Sequence, residues 1–240
     1  MTAASRGQPW REAWFKSVQS VAMRAWRAVE AQHAVATMRL VDSLDEQEVL
    51  ERLLESSKPP LPAAARSQHY LLVTPFRYRP RHGSRFRRAG SPGIWYGAQE
   101  IRTACAESAY WRWRFLVESS GLQNEELLTE HTVFAAAVHG PAIDLAAKPW
   151  NASRRHWTHP DDYTSPQNLA DAARERGVGW LRYESARDPG GVCCAVFSPD
   201  MLSGPDLKSQ QTWHCRATRD GVRMIHDSDR FEWSMKGRVR

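Results

Sequence analysis

The residues best suited to chemistry lie between Phe76 and Phe115, where a run of arginines precedes a carboxylate, Glu107, in a helical pattern. Arginine carries a planar group of donors that stays charged and binds phosphate oxygens in pairs. A carboxylate facing such a cluster suits an anionic ligand that develops positive charge elsewhere in the same molecule. The alternative is that the arginines form a solvated basic loop and that Glu107 is a surface residue of its helix.

The order and spacing of Arg77, Arg85, Tyr96 and Glu107, with Ser185 far downstream, resemble the RES domain, a family named for its arginine, glutamate and serine. The resemblance runs from about residue 68 to about residue 201. It implies a toxin of a bacterial toxin–antitoxin pair that destroys NAD, with a fold like that of the ADP-ribosyltransferases. It also implies a separate Xre-like antitoxin, with a helix-turn-helix region, that covers the active-site entrance. The segments that carry it are LLVTPFRYRP, GSRFRRAG, GIWYGAQEIRTACAE and RYESARDPGG.

The resemblance suggests a role for each matching residue. Arg77 and Arg85 match the two family arginines, and we expect them to hold the diphosphate of NAD or incoming inorganic phosphate. Cleavage of the nicotinamide–ribose bond makes the sugar oxocarbenium-like, which a carboxylate such as Glu107 can stabilise. Tyr96 matches a family position at the pocket and is expected to stack on nicotinamide or to bind ribose, and Tyr78 is a further candidate for the same task.

Ser185 lies in the segment Tyr183-Glu184-Ser185-Ala186-Arg187. It lacks the G-x-S-x-G pattern of a serine-hydrolase nucleophile, and the sequence places no histidine to activate it. We therefore expect its hydroxyl to donate a hydrogen bond to phosphate or ribose. Arg187 adds charge two residues later. The remaining arginines of the cluster, Arg79, Arg81, Arg87 and Arg88, are interpreted as solvated charge.

The sequence does not define the acceptor of the reaction. With inorganic phosphate the protein would be an NAD⁺ phosphorylase, the function favoured here. With water or a protein side chain it would be an NAD glycohydrolase or an ADP-ribosyltransferase. A third hypothesis is a basic nucleic-acid-binding protein without catalysis, which fits a formal charge of +6 and a pI near 9.4. Because no nucleic-acid-binding motif is recognised, direct binding of nucleic acid is not predicted.

Length and composition are those of a soluble globular protein. The 240 residues suit one large domain or one domain with an extension, and they are 42% apolar and 25% charged. The sequence shows no secretory signal and no apolar run of about 18 residues, so a cytoplasmic location without membrane contact is predicted. The four cysteines form no spaced framework and are expected to be reduced. Without a CxxC or a His/Cys cluster, no metal is predicted. NAD and phosphate are expected as substrates, with no resident cofactor.

Residues 1–66 are predicted to be an N-terminal helical extension, and residues 67–240 the RES domain. Apolar residues recur at three- and four-residue steps from Trp14 to Leu40, which indicates a helix. A second helix is predicted after Ser43, whose hydroxyl and Glu46 suit a capping box, and prolines after Lys58 end it. The extension is expected to pack on the main domain, with a homodimer or a seat for a partner as the alternatives.

The remaining pattern predicts an α+β fold, with a compact mixed β-sheet core and flanking helices. Strands are predicted at 69–74, 76–79, 94–97, 133–138, 143–145, 179–183 and 192–197, and alternation continues at 212–216 and 221–225. Helices are predicted at 103–118 and 167–176, and a surface loop at 148–162. This places Glu107 on the first of these helices, close to Thr103 and Tyr110 on the same face.

Overall fold

A mixed sheet of eight strands is the centre of the computed structural model, which describes residues 8–31, 40–61, 65 and 67–237. The strands, in chain order, are β1 (Gln19–Glu30), β2 (Trp95–Ala98), β3 (Leu127–Asp144), β4 (Trp180–Glu184), β5 (Val192–Val196), β6 (Leu202–Thr218), β7 (Gly221–His226) and β8 (Asp229–Ser234). Their order across the sheet is β1-β2-β5-β4-β3-β6-β7-β8, and β1 pairs with β3 as well.

The pairings of β1 close five of these strands into a ring. β1 runs antiparallel to β3 along its whole length, and it meets β2 at one pair, Trp26 with Ala98. β2 pairs with β5, β5 with β4, and β4 runs parallel to the end of β3. Strands β6, β7 and β8 continue the sheet from the other edge of β3. Trp26 with Ala98 is the one residue pair between β1 and β2 in the described part of the chain.

Helices flank this sheet, as the sequence predicted for an α+β fold. In the described ranges they are α1 (Leu44–Ser57), α2 (Tyr70–Arg77), α3 (Ile101–Glu118), α4 (Arg154–Trp157) and α5 (Thr164–Glu175), with 3₁₀ turns at Glu12–Ser17, Trp150–Ser153 and Pro199–Met201. α3 packs on β1, β6 and β7, and α2 packs on β2 and β6. None of the described helices is both long and apolar enough to cross a membrane.

Alternation along the strands divides the interior into separate cores. On β5, Cys193 faces a cluster that contains Phe86 and Trp157, whereas Cys194 faces one that contains Trp95 and Leu72 of α2. A third cluster lies between α3 and the strands β6 and β7. Because successive strand residues point to opposite faces, one strand supplies side chains to two cores. The four cysteines are buried and are not joined in disulfides.

The helix predicted from Trp14 to Leu40 is wrong over Gln19–Glu30, which form β1. The same apolar residues also satisfy a strand, since Val21, Met23 and Ala25 alternate toward one core. Pairing with β3 at twelve successive positions supplies the backbone hydrogen bonds that a helix would have supplied. Residues 32–39 of that prediction lie outside the described residues. Thus the segment 1–66 is not purely helical, and the predicted domain boundary after residue 66 stays a prediction.

The second N-terminal helix is confirmed as α1, and the Oγ atom of Ser43 accepts a hydrogen bond from the backbone N–H of Glu46. The strands predicted at 69–74 and 76–79 are wrong, because residues 70–77 form α2. His69 caps this helix through its Nδ1 atom, and Leu72, Val73 and Phe76 fill the core at helical spacing. A short apolar run does not distinguish a buried helix from a strand.

Elsewhere the predicted elements agree with the structure in kind. The helices at 103–118 and 167–176 and the strands at 94–97, 179–183 and 192–197 are confirmed as α3, α5, β2, β4 and β5. The two strands predicted at 133–138 and 143–145 are one strand, β3. The segment 148–162 is not wholly a surface loop, because it contains α4 and buries Trp150 and Trp157. These buried indoles fix the loop that faces the arginine-rich segment.

A buried histidine under α3 should make the fold sensitive to acid. Ser108 and Thr129 hold the two ring nitrogens of His131, and burial, together with Arg112, lowers the pKa of His131 to about 4. Between about pH 6.5 and pH 4 the unfolded chain therefore binds a proton that the folded chain does not. The free energy of unfolding should fall by roughly 3 kcal/mol as the pH drops through this window.

Urea unfolding at several pH values measures this effect. In His131→Gln, which does not titrate, the free energy of unfolding should depend less steeply on pH between 6.5 and 4. His139→Gln, the same substitution at an exposed position, is the matched control. Equal slopes in the parent and in His131→Gln would contradict the prediction.

Candidate active site

A cleft of about 710 Å³ lies between α2, the loop after it, β1, β2 and α3. Four of the residues predicted from the sequence line it, namely Arg85, Tyr96, Glu107 and Tyr78. Ser185 touches the site from behind Glu107, and Arg77 does not line it. Four of the six named residues thus line one cleft, and the other two have contacts other than those expected.

Glu107 and Glu30 both line this cleft, and Ser185 fixes the orientation of Glu107. The Ser185 hydroxyl donates a hydrogen bond of 2.6 Å to Oε1 of Glu107, and the Cys193 thiol lies 3.8 Å from the same oxygen. The Ser185 oxygen in turn accepts the backbone N–H groups of Arg187 and Asp188, each at 3.0 Å. With its lone pairs engaged, the hydroxyl has its proton directed at Glu107. No described hydrogen bond uses Oε2 of Glu107, which remains for a ligand.

Ser185 thus has a different contact from the predicted one. It is buried, with 6% of its surface exposed, and its hydroxyl donates to Glu107 rather than into the cleft. The strand β4 delivers it, and the turn at residues 185–191 closes over it, with the Ser185 N–H donating to the carbonyl of Gly191. The geometry assigns Ser185 to the orientation of the carboxylate.

Removal of this hydroxyl should change turnover rather than affinity. A hydrogen bond to a charged group contributes about 1.5–3 kcal/mol. If Glu107 acts on the reacting part of the substrate, Ser185→Ala should therefore lower kcat by about 10- to 100-fold with little change in KM. Ser185→Thr, which keeps a hydroxyl, should recover part of the loss. Steady-state kinetics measures both values, and a raised KM with unchanged kcat would place Ser185 on the substrate instead.

Cys193 is not a candidate nucleophile, although it lines the cleft. Burial, and then the charge of Glu107, raise the pKa of its thiol well above the ordinary value. The thiolate is the nucleophilic form of cysteine, so a thiol kept neutral at physiological pH is unreactive. Among the described residues there is no cluster of His, Cys, Asp or Glu that could hold a metal ion. Glu107 and the arginines around it are charged groups that line this cleft.

Arg85 is held rigidly in the wall of the cleft. Its Nη1 atom donates to the carbonyl oxygens of Trp157, at 3.0 Å, and His159, at 2.7 Å. Its guanidinium lies over the ring of Tyr163, 4.9 Å from the ring centre, and only 8% of the residue is exposed. The buried segment around α4 thus orients one edge of the guanidinium and leaves the charge without a carboxylate partner in the described part of the chain.

Tyr96 braces the loop that carries Arg85. Its hydroxyl lies 2.8 Å from the Ser84 hydroxyl and accepts the N–H of Phe86 at 3.2 Å. Burial raises the pKa of Tyr96, so the phenol stays neutral. Tyr78 lines the cleft beside it, and its carbonyl accepts the N–H of Gly93. A Cβ atom on Gly93 would lie 1.6 Å from the carbonyl oxygen of Pro75, so only glycine permits this approach of the loop to α2.

The expectation that Arg77 shares the cleft with Arg85 is not met. The Arg77 side chain donates to Oε1 of Glu55 on α1, at 2.7 Å, and to the carbonyl oxygen of Pro59. It forms a salt bridge with Glu55 and does not line the cleft. The reason is the secondary structure. Arg77 is the last residue of α2, not part of a strand, and its side chain reaches Glu55 of α1.

Three further cations line the cleft, and of these the sequence had suggested only Arg187. Arg87 was interpreted as solvated, yet it is 7% exposed and donates to the carbonyl oxygens of Pro80, His82 and Arg88. Arg187 donates to the Pro160 carbonyl and to the Tyr163 hydroxyl. Arg27 lines the cleft from β1. Because the apolar pattern of this segment predicted a helix, the sequence provided no indication of that position. The sequence feature that pointed to Arg187 was its place in the Tyr-Glu-Ser-Ala-Arg segment, two residues after Ser185.

Four arginines that line this cleft have no carboxylate partner among the described residues. Within the described ranges, Arg27, Arg85, Arg87 and Arg187 line it without a carboxylate in salt-bridge distance, whereas many arginines elsewhere are paired, such as Arg88 with Asp171 and Arg176 with Glu12. Burial lowers the pKa of Arg87. Arg85 and Arg87 are buried, and unpaired buried charges are costly, so such a set of arginines is typical of a site that receives an anion.

Comparison with known proteins agrees with the motif seen in the sequence. The family model described as "RES domain" matches residues 60–217. Among solved structures, the chain is similar to one in the crystal structure of the M. tuberculosis MbcT-MbcA toxin-antitoxin complex, with 11% identity over 93% of each chain and a TM-score of 0.47. No curated protein matches the chain.

Proposed function

This chain belongs to the RES domain family, since the family match covers more than half of its residues, and on that premise we propose that it is an NAD⁺ phosphorylase. The reaction cleaves the nicotinamide–ribose bond with inorganic phosphate and gives nicotinamide and ADP-ribose 1″-phosphate. The observation that carries the proposal is one carboxylate, Glu107, oriented by Ser185 in a cleft with four unpaired guanidinium groups.

The charges of the cleft favour phosphate as the acceptor. Glu107 offsets one of the four guanidinium charges, and Glu30 is already paired with Arg112, so about three positive charges await a ligand. NAD carries about two negative charges on its diphosphate and one positive charge on nicotinamide. Hydrogen phosphate adds about two more negative charges. NAD together with phosphate therefore balances the cleft, whereas NAD with water leaves it positive.

Each residue has a definite task in this reaction. A phosphate oxygen forms the new bond to the anomeric carbon of ribose as the bond to nicotinamide breaks, and the bonding electron pair neutralises the pyridinium nitrogen. The leaving group therefore needs no acid. Glu107, through Oε2, stabilises the positive charge that develops on the sugar. The guanidinium of Arg85 holds phosphate groups, and Tyr96 fixes the loop that carries Arg85. Tyr78 lies in the cleft wall, where its ring is available to the nicotinamide or the ribose.

The resemblance also underlies the proposed biological context. We propose that the chain is a toxin of a toxin–antitoxin pair, with NAD as its substrate and an Xre-like antitoxin as its protein partner. In that arrangement the antitoxin covers the entrance of the cleft, and NAD in the cell is spared until the antitoxin is lost. A homodimer built through the N-terminal segment remains a further proposal.

Incubation of the purified chain with NAD, with and without phosphate, tests the proposed activity. We expect nicotinamide and a product with the mass of ADP-ribose plus phosphate, formed at a rate that depends on the phosphate concentration. Free ADP-ribose in both mixtures would indicate a glycohydrolase, and a mass increase on a protein would indicate an ADP-ribosyltransferase. Intact NAD, together with salt-dependent binding to random duplex DNA, would support the nucleic-acid hypothesis instead.

A further inference from the structure

The eight-stranded sheet ends at β8, and no described strand pairs with the outer edge of β8. On its inner side, β8 pairs with β7 at six successive positions without a shift of register. Prolines and β-bulges commonly keep an exposed edge from pairing with another chain, and β8 contains neither. Its outer edge is therefore able to accept a further strand.

The backbone of β8 presents alternate residues to this free edge. Met235, the residue after β8, donates its N–H to the carbonyl oxygen of Asp220 on the β7 side, at 2.8 Å. Successive residues of an antiparallel strand direct their backbone groups to opposite sides, so the odd-numbered residues of β8 bond toward β7, as Met235 does. The even-numbered residues, among them Arg230 and Glu232, therefore direct their N–H and C=O groups outward.

Two opposite charges lie on one face of this edge. Arg230 and Glu232 are both exposed, and because they are two residues apart their side chains share a face of the sheet. Glu232 forms a salt bridge with Arg223 of β7, whereas the described residues place no carboxylate in salt-bridge distance of Arg230. On the other face, between the two charges, the Phe231 ring stacks on Trp213, with 4.9 Å between the ring centres.

This pattern is complementary to itself. If two copies of β8 pair antiparallel about a two-fold axis at Phe231, Arg230 of each copy lies opposite Glu232 of the other. Both residues direct their backbone groups outward, so each of these pairs also exchanges two backbone hydrogen bonds. A shift of two residues in either direction would instead place Glu232 opposite Glu232, or Arg230 opposite Arg230, and like charges directly opposite are unfavourable. Charge therefore selects one register.

We infer that β8 is a contact through which two copies of this chain join into one continuous sheet. At the axis the two Phe231 residues form a non-hydrogen-bonded pair, the type of pair in which side chains approach most closely. The contact is small, so we expect a Kd of about 1–100 μM. None of the described residues that line the cleft belongs to β8, so this pairing does not use the cleft.

Sedimentation velocity over a series of protein concentrations, without NAD, measures the association. Arg230→Glu places acids opposite acids in both cross-strand pairs, and Glu232→Arg places arginines opposite arginines. We expect each variant alone to associate at least about 10-fold more weakly than the parent. Lys208→Glu is the matched control, because it reverses a charge at an exposed position of β6, away from the edge, and it should stay within about twofold of the parent.

A mixture of the two edge variants tests the register directly. One variant carries only acids at the two positions and the other only arginines, so both cross-strand pairs are complementary in a mixed dimer. The mixture should therefore associate with a Kd within about threefold of the parent's, although neither variant does so alone. Changes in the fold of either variant would not produce this recovery.

Proline at the same edge separates strand pairing from a contact between side chains alone. Glu232→Pro removes an outward N–H and keeps the bonds to β7, so circular dichroism should show a folded chain. We expect its dimer to be at least about 30-fold weaker than the parent's. Glu232→Gln loses the charge but keeps the N–H, and it should associate more strongly than Glu232→Pro.

Three results would overturn the inference. The first is a parent that stays monomeric up to about 500 μM. The second is a parent dimer that neither charge variant weakens by more than about threefold, which would place the contact elsewhere, as in the N-terminal segment. The third is a mixture of the charge variants that stays monomeric. If a charge variant does not fold, equal association of Glu232→Pro and Glu232→Gln counts against strand pairing.

Discussion

Replacing Glu107 with glutamine should lower kcat for nicotinamide release by about 1,000-fold, which corresponds to about 4 kcal/mol of lost transition-state stabilisation. Glutamine has nearly the same shape and can still accept the hydrogen bond from Ser185, so the fold should be preserved. What is lost is the negative charge beside a sugar that becomes cationic only in the transition state. Because the ground-state sugar is neutral, KM for NAD should change little.

Glu100 provides the matched control for this substitution. It is exposed and lies immediately before α3, so Glu100→Gln makes the same chemical change at the start of the helix that carries Glu107. Its kcat should equal that of the parent. Nicotinamide release by Glu107→Gln within about tenfold of the parent would show that the carboxylate is not the main electrostatic element of the reaction.

The named residues that do line one cleft are those carried by short, neighbouring segments of the chain. Tyr96 ends up beside Ser84 and Phe86, close along the chain, and Arg85 lies in the same loop. Glu107 follows on the next helix, whose pattern was clear. Motif spacing therefore predicted that these residues line one cleft, because few elements intervene between them.

The parts that the sequence did not predict depend on distant pairing. β1 is a strand because β3, about a hundred residues later, supplies its hydrogen bonds, and no local pattern reports that partner. Because β1 was predicted to be part of a helix, Arg27 was not assigned to the site. Arg77 likewise forms an ion pair with Glu55 of α1. This pair depends on where two helices meet, which the local sequence does not specify.

Ser185 illustrates a further limit, because its residue type was informative and its contact was not. A hydroxyl near a phosphate-binding cleft suggests a donor to the ligand. The turn that follows β4 instead presents the N–H groups of Arg187 and Asp188 to the Ser185 oxygen, which turns its proton toward Glu107. Such an arrangement depends on backbone direction within one turn, which residue identity alone does not specify.

Substitution of Arg85 should give the second large effect. We expect Arg85→Met to lower kcat/KM for NAD by about 100- to 1,000-fold, since a buried guanidinium paired with a phosphate group contributes about 3–4 kcal/mol to transition-state binding. The guanidinium is already fixed by the carbonyls of Trp157 and His159, so little ordering is needed when the ligand binds. Arg85→Lys keeps the charge but loses the planar donors, and it should retain only about a tenth of the parent's kcat/KM.

Arg88 makes the comparison decisive, because it lies three residues along the same loop and carries the same charge. Its guanidinium faces Asp171 on α5, away from the cleft, so Arg88→Met should keep the parent's kcat/KM. If both methionine variants lost activity equally, the net charge of the loop and not the placement of Arg85 would be responsible. If Arg85→Met remained within about threefold of the parent, phosphate binding would have to depend on the other cleft arginines. Since Arg85 is the most rigidly held of the cations that the motif predicted, its failure would weaken the proposed function more than the failure of any other arginine.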